Sequence, residues 1–568
     1  MKRLHKFCIA AMGCAFVALS SGCSDSYLDE HMYSKYGPGV SDVEAKLVGL
    51  HYKIGQMLGR SWDQGYAGIW QDGTDVGAPG DITGTERPFF KYAELNSEHN
   101  MVSGLWDNLY SLIGAANLII NNEEVGSDAQ RAEARFFRAY AYNQLVTGWG
   151  DVVLLTEPVS TPRTDFARTP KAEVDKVIEE DLMYAIANLP AVNALAKPSR
   201  VGKDAARMLA AEAFLRMGYQ HNDASYYKKA EEAVSPVITE GNYKLISERF
   251  GQFLDEPSGD YYSDMFRYGN QRRSQGNTEN IWLFEMENNA IVPGGTIDNP
   301  QQRRNWVPGF HKIAGMQNAD SIGGRGNGRL RLSNYVKYGL YEKGDIRNSN
   351  NNIRRVMYYN RQGWGGATYN INKDGYICQD GDEVAKTVTV GVGSRVYVSV
   401  KDTLAVFYPH TTKWGGYDPN DDFGYALVKD FPLMRFGEAY LLRAEARMRQ
   451  GNNLGAAEDI NVLRDRAFKD ARVDDPDAGK VTADMMNIDF ILDERIRELV
   501  GEENRRFTLM RTGELGNRVR MMMQPKWAES TPEKAIEGFD ESKHILLPIP
   551  LTEIQLNKDG ELKQNPGY

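Results

Sequence analysis

The residues with the most obvious capacity for chemistry are the carboxylates of IDFILDERIRELVGEENRRF, 488–507. Asp493, Glu494, Glu498, Glu502 and Glu503 crowd one helical stretch, and Glu494 and Glu498 share a face at i,i+4. Two carboxylates in a cleft, with pKa values pushed apart, would support general acid–base catalysis. Arg495, Arg497, Arg505 and Arg506 are interleaved with them, which points to ionised, paired acids in a structural network. The eight histidines include no H-E-x-x-H or H-x-x-x-H spacing, so a zinc site has no support. GGRGNGRL, 323–330, lacks the Lys-Ser/Thr pair of a nucleotide loop. DPNDDFGY, 418–425, places Asp418, Asn420 and Asp422 at calcium-loop positions, but Phe423 replaces the turn glycine and Lys429 the closing glutamate. The expectation is a non-enzymatic chain with no metal and no cofactor.

Binding chemistry is better represented. Trp62 in GRSWDQGY, Trp306 in RRNWVPG and Trp364 in RQGWGG lie in Gly/Pro/Arg-rich stretches that read as loops. Asp63, Arg303, Arg304 and Tyr369 lie beside them in sequence. A flat ring stacks on the apolar face of a pyranose, and neighbouring Asp and Arg supply charge-assisted hydrogen bonds to hydroxyls. These seven residues are the candidate ligand site, with packing the competing role for each tryptophan. Trp106, Trp149, Trp282 and Trp414 fall in helical or strand patterns and are assigned to the core.

Cys23 offers a different chemistry. MKRLHK opens the chain with three cations and no acid, and Phe7–Leu19 is apolar or small throughout, too short to span a bilayer. Residues 1–22 therefore read as an export signal. Cys23 follows Ser20, Ser21 and Gly22 directly, so it is either an incidental cysteine or the lipidated first residue of the mature chain. SSGC resembles the lipobox of bacterial lipoproteins, although Ser20 stands where that motif prefers leucine. Cys8 and Cys14 leave with the signal, and lipidation of Cys23 would leave only Cys378, with no internal disulfide.

Without residues 1–22 the chain carries 64 basic against 77 acidic side chains, a net charge of −13. That argues against nucleic acid and against a polybasic membrane patch. Helical periodicity falls in two blocks, from about Asp42 to Gly241 and from Pro432 onward. In the first, Leu105, Leu109, Leu112, Ile113 and Ala116 keep helical spacing. Asp128 is expected to cap the next helix, which Gly148 and Gly150 end. AEARFFRA (132–139), AEAFLRMG (211–218) and AEARMRQG (444–451) repeat an Ala-Glu-Ala start. Small residues at close helix crossings mark tetratricopeptide-like helical hairpins. Between the blocks, ENIWLFEMEN (279–288) alternates as one strand, and VTVGVGSRVYVSV (388–400) as a pair around Gly393. The expected fold is mainly α, a tetratricopeptide-like scaffold displaying a loop-rich middle with short strands. The expected divisions are a signal at 1–22, an N-terminal part at 23–250, a loop-rich ligand face at 251–431 and a C-terminal part at 432–568.

Several stretches resemble one family. HILLPIPLTEIQLNKDGELKQNPGY (544–568) is similar to the C-terminus of SusD-like (RagB/SusD) proteins. ILDERIRELVGEENRRFTLMRTG, PLMRFGEAYLLRAEA, LYEKGDIR and EARFFRAYAYNQLVTGWGDVVLLTEP resemble other shared elements, with Val153 where the family has proline. The resemblance covers both ends and most helices, and is poor over about 290–420. It implies a non-catalytic outer-membrane lipoprotein, tethered at the cell surface through Cys23. It also implies glycan capture together with a SusC-like TonB-dependent transporter. The alternative is a transporter lid for peptide or another non-sugar nutrient. No binding residue carries over, because the candidate loops lie where the resemblance fails.

Overall fold

The computed structural model describes residues 43–59, 66–80, 87–122, 126–289, 291–293, 295, 300, 302–317, 323–404, 406–417 and 427–568. Cys23, Trp62, Asp63 and the loop 418–425 lie outside the described residues. Two compact units divide the chain, 1–46 and 47–568, and only the opening turn of one helix represents the first among the described residues. No described helix is long and apolar enough to cross a membrane.

Helices dominate. α1 spans Val43–Gly59, α2 Asn100–Ile120, α3 Asp128–Trp149, α4 Lys171–Asn188, α5 Lys203–Gln220 and α6 Ser225–Thr239. After the middle region come α7 Phe436–Arg449, α8 Asn453–Ala467, α9 Ile488–Leu499, α10 Arg505–Thr512 and α11 Leu515–Met522. The five apolar positions expected to line α2 are all buried. α3 begins one residue earlier than its sequence suggests. Ser127, not Asp128, is the N-cap, and its side chain accepts from Gln130 N. Gly150, at φ +77°, ends the helix in a conformation that favours glycine.

Each Ala-Glu-Ala segment lies in the first helix of a packed antiparallel pair: α3 on α4, α5 on α6, α7 on α8. The alanines are fully buried, which lets the paired axes approach closely. The glutamates are not on an outer face. Glu133 takes Arg200 and His51, and Glu445 takes both guanidinium nitrogens of Arg511 at 2.8 and 2.9 Å. Arginines of the same helices cross to aspartates on their neighbours, Arg138 to Asp181, Arg216 to Asp175 and Arg443 to Asp459. The scaffold is thus tied by charge as well as by apolar contact.

Strands are short and pair in four two-stranded antiparallel sheets among the described residues. They are β1 Gly77–Pro79, β2 Asn280–Phe284, β3 Leu330–Leu332, β4 Ile353–Arg354, β5 Gly365–Ile371, β6 Lys386–Gly391, β7 His410–Thr411 and β8 Phe431–Arg435. The pairs are β1 with β3, β2 with β8, β4 with β7 and β5 with β6. β2 falls in the stretch that alternates in sequence. It pairs with β8 from Asn280↔Arg435 to Phe284↔Phe431, joining the middle to the start of the second helical block. α1 lies tightly on the end of β2, where a Cβ at Gly55 would sit 2.1 Å from the Phe284 ring.

The expected hairpin about Gly393 is not the one observed. β6 pairs with β5, from Ala367↔Val390 to Ile371↔Lys386. The chain after Gly393 turns away to bond Met357, Tyr359 and Ile377. The Gly-Gly start of β5 hides its alternation, in which Ala367, Tyr369 and Ile371 face inward and Thr368 and Asn370 outward.

Candidate functional site

The carboxylates of α9 sit in the centre of the molecule. Glu494 and Glu498 are fully buried and both bind Arg347 Nη1, at 2.8 and 3.2 Å. Glu494 also takes Arg464 and Arg497. Glu498 also takes Arg435 at 3.1 Å and Arg466 at 2.5 Å. Arg466 continues to Glu279, and Arg435 to Glu279 and Glu502. Burial alone would raise the Glu494 carboxyl, but Arg347, Arg464 and Arg497 outweigh it and hold it at about 2. Glu503 is likewise held at about 2, where Arg495 and Arg505 overcome its burial. Glu498 is lowered further by Arg466, Arg435 and Arg347 against the same burial. Acids held ionised with their oxygens bonded to guanidiniums have no proton to give and little basicity. α9 is therefore structural, as its interleaved arginines imply.

Two partly open spaces adjoin this scaffold. One, of about 120 Å³, lies among Tyr140, Trp282, Trp306, Arg435, Arg495 and Glu503. The other is an apolar groove of about 630 Å³ between α1 and the end of β2, lined by Tyr52, Phe284, Met286, Pro293 and Phe431.

The candidate ligand residues separate. RRNW is not a loop but part of a short helix, Gln302–Trp306, and its side chains turn inward. Trp306 is 1% exposed and lines the small cavity, so it presents no face to an external sugar. Arg303 is buried and donates to Gly416 O at 3.0 Å, while Arg304 is half-buried. The Gly/Pro flanks make the segment look like a surface loop, whereas its burial is set by distant partners. The four tryptophans assigned to the core, Trp106, Trp149, Trp282 and Trp414, are all buried.

Trp364 and Tyr369 come together on the middle region. It has an apolar core of its own, with Val307, Phe310, Met316, Met357, Tyr359, Val390, Val396 and Val398 buried. Trp364 stands just before β5, half-buried, its ring 4.3 Å from that of Tyr359. Gly315, at φ +88°, makes room for it, since a Cβ there would lie 2.5 Å from the indole. Tyr369 projects from the inner side of β5 onto the same cluster, beside Tyr376, Tyr397 and Phe407. Those three rings, half-buried against the same core, carry no local signal in the sequence beyond their composition. The outer side of the hairpin is polar, with Thr368 Oγ1 and Thr389 Oγ1 3.0 Å apart and Thr387 donating to Asn370 at 2.9 Å. Val307 follows Trp306 directly and inserts into this cluster, so the buried helix anchors the aromatic rim. Such an arrangement can stack rings against a flat ligand and offer hydroxyl and amide partners around it.

A family model described as the SusD family matches residues 263–568. The chain belongs to this family. A second model, described as starch-binding associating with outer membrane, matches residues 26–215. A SusD-like protein of Formosa agariphila is 23% identical over 95% of this chain and 95% of its own length. The starch-binding protein SusD of Bacteroides thetaiotaomicron is 31% identical, over 36% of this chain and 34% of its own. Among solved structures, surface glycan-binding protein A from Bacteroides fluxus superposes with a TM-score of 0.64. It is 20% identical, covering 93% of this chain and 99% of that one. Three of the SusD-family stretches singled out in the sequence meet in the central network. LYEKGDIR supplies Asp345 and Arg347, PLMRF supplies Arg435, and α9 supplies the acids. LLPIP and QNPGY close on the end of α3, where Asn565 Nδ2 donates to Trp149 O and Leu547 O and Trp149 Nε1 donates to Pro548 O.

Proposed function

We propose that this SusD-family protein is a lipoprotein of the outer membrane that binds glycans at the cell surface and does not cleave them. It is tethered through Cys23 and hands its cargo to a SusC-like TonB-dependent transporter. The observation that carries the glycan reading is the aromatic rim of the middle region. Trp364, Tyr369, Tyr376, Tyr397 and Phe407 are half-buried around one small core, on a rigid support and beside polar strand faces. The binding names of the SusD relative and of the Bacteroides fluxus neighbour favour the same ligand class. Saturation of the α9 carboxylates by arginine supports binding without catalysis.

In this reading Trp364 and Tyr369 contact sugar, with Trp62 and Asp63 as further contacts. Arg303, Arg304 and Trp306 hold the rim in place. The test is a polysaccharide panel by affinity electrophoresis and calorimetry. Retardation by at least one polymer, weakened by Trp364→Ala, is expected. Retardation by none would end the glycan reading and shift the cargo to peptide or another nutrient. Membrane attachment is tested separately: Cys23→Ser should move the protein from the membrane to the soluble fraction, and an unmoved protein would refute the tether.

A further inference from the structure

One stretch of the acidic chain is strongly basic. Between Gln302 and Arg361 there are twelve Lys and Arg against three Asp and Glu, in a sequence whose formal charge is −10 overall. Arg347 spends its charge inside the central network and Arg331 binds Glu529 at 2.7 Å. Two others form no ion pair among the described residues, although the Glu529 carboxylate, already held by Arg331, lies near Lys337. Lys337, in the last turn of the short helix Asn334–Tyr338, is 6% exposed, and its Nζ lies 5.5 Å from the centre of the Tyr338 ring. It has neither a side-chain hydrogen bond nor an ion pair among the described residues. Arg355 donates to the carbonyls of Lys337 at 2.9 Å and of Asn348 and Ile353 at 3.3 Å, and pairs with no carboxylate among the described residues. Arg355 thereby caps the carbonyl end of that helix, whereas the ammonium of Lys337 serves no such purpose. Beside them the Tyr338 ring is 69% exposed, with Tyr376, Glu529 and Arg331 near its hydroxyl.

An ammonium without a partner on a nearly buried side chain is costly unless something completes it. Two cations flanking an open aromatic ring match a sugar that carries an oxyanion. The ring takes the apolar face, and charge-assisted hydrogen bonds take the anion. Resting on the glycan reading above, we propose that Lys337, Arg355 and Tyr338 bind the oxyanion group of an acidic sugar, a uronate carboxylate or a sulfate ester. The cargo is then an anionic polysaccharide. Attraction of such a polymer to the two cations weakens with salt.

The test runs the purified full-length protein through gels containing polygalacturonate, carrageenan, laminarin or dextran, and repeats it with Lys337→Met and Tyr338→Ala. Methionine keeps the apolar stem and removes an uncompensated buried charge, so its melting temperature should not fall. Tyr338 is exposed enough that its loss leaves the fold intact. Expected is retardation by polygalacturonate or carrageenan, the polymer telling carboxylate from sulfate. Both variants should weaken it on the order of tenfold or more. Retardation by laminarin or dextran with none by the acidic polymers would overturn this site and leave the glycan reading standing. Acidic-polymer binding unchanged in Lys337→Met would also overturn it. Retardation by none of the four overturns both readings.

Discussion

Replacing Glu498 by glutamine is the sharpest probe of the central network. The side chain keeps its volume and loses its charge, leaving Arg347, Arg435 and Arg466 around an amide. Breaking one member of a buried ion-pair group costs about 3–5 kcal/mol, because the remaining charges stay desolvated. The unit 47–568 has 522 residues, and unfolding entropy near about 2.1 cal/mol/K per residue gives roughly 1.1 kcal/mol/K. A loss of about 4 kcal/mol therefore lowers the melting temperature by about 4 °C in calorimetry. The control is Glu541→Gln. Its pair with Arg520 is about half exposed on both sides and contributes at most about 1 kcal/mol, or about 1 °C. Acid should show the same network. Glu494 and Glu503 have folded-state pKa values lowered to about 2 from 4.5, so their stabilisation is complete above about pH 5. It is lost as pH falls toward 2, and Glu498→Gln should flatten that fall because one proton-binding site is gone. A Glu498→Gln melting temperature within 1 °C of wild type, or equal to that of Glu541→Gln, would refute the argument.

Trp306→Ala should behave as a core truncation, costing about 3–5 kcal/mol, and calorimetry would show it. Trp364→Ala, half-buried, should destabilise less and lose glycan retardation; the reverse ranking in stability would mean the two indoles have been assigned to the wrong places. Gly315→Val puts a side chain where the Trp364 ring lies, at a backbone angle that disfavours it, and should shift tryptophan fluorescence and cost at least about 1 kcal/mol. Asn565→Ala removes two buried hydrogen bonds to Trp149 O and Leu547 O and should cost about 1–3 kcal/mol in denaturant melts.

The helices were legible in the sequence because their apolar spacing, caps and small-residue crossings are local signals. The family was legible because its motifs are structural: LYEKGDIR, PLMRF and the acids of α9 meet in one buried network, LLPIP and QNPGY close on α3, and such partners must match together. The arginines between the acids of α9 told their state correctly, since i,i+3 and i,i+4 neighbours are fixed by the helix. Trp306 was misread for the opposite reason. Its flanks have loop composition, and nothing within ten residues reveals that Val307 and Phe310 enter a core built from residues 357 and 390–398. The strand β5 was missed because two glycines open it and its partner lies across a turn-rich connection. Lys337, Tyr338 and Arg355 carry no motif at all, and only the fold shows which cations form no ion pair.

The clasp between the chain's end and α3 bears on how the protein can be made. Gln71 and Asp75 bond residues 503–505, Arg506 holds the carbonyls of Ile69, Asp72 and Phe89, and Asn565 seals the end of α3. These bridges span more than four hundred residues of sequence, so the native state cannot close until almost the last residue is free to join it. Contacts that distant also fold slowly. If residues 1–22 are the export signal their composition suggests, such delay is useful. The molecule would then stay loose enough to thread a translocation channel and lock only after its tail has come through.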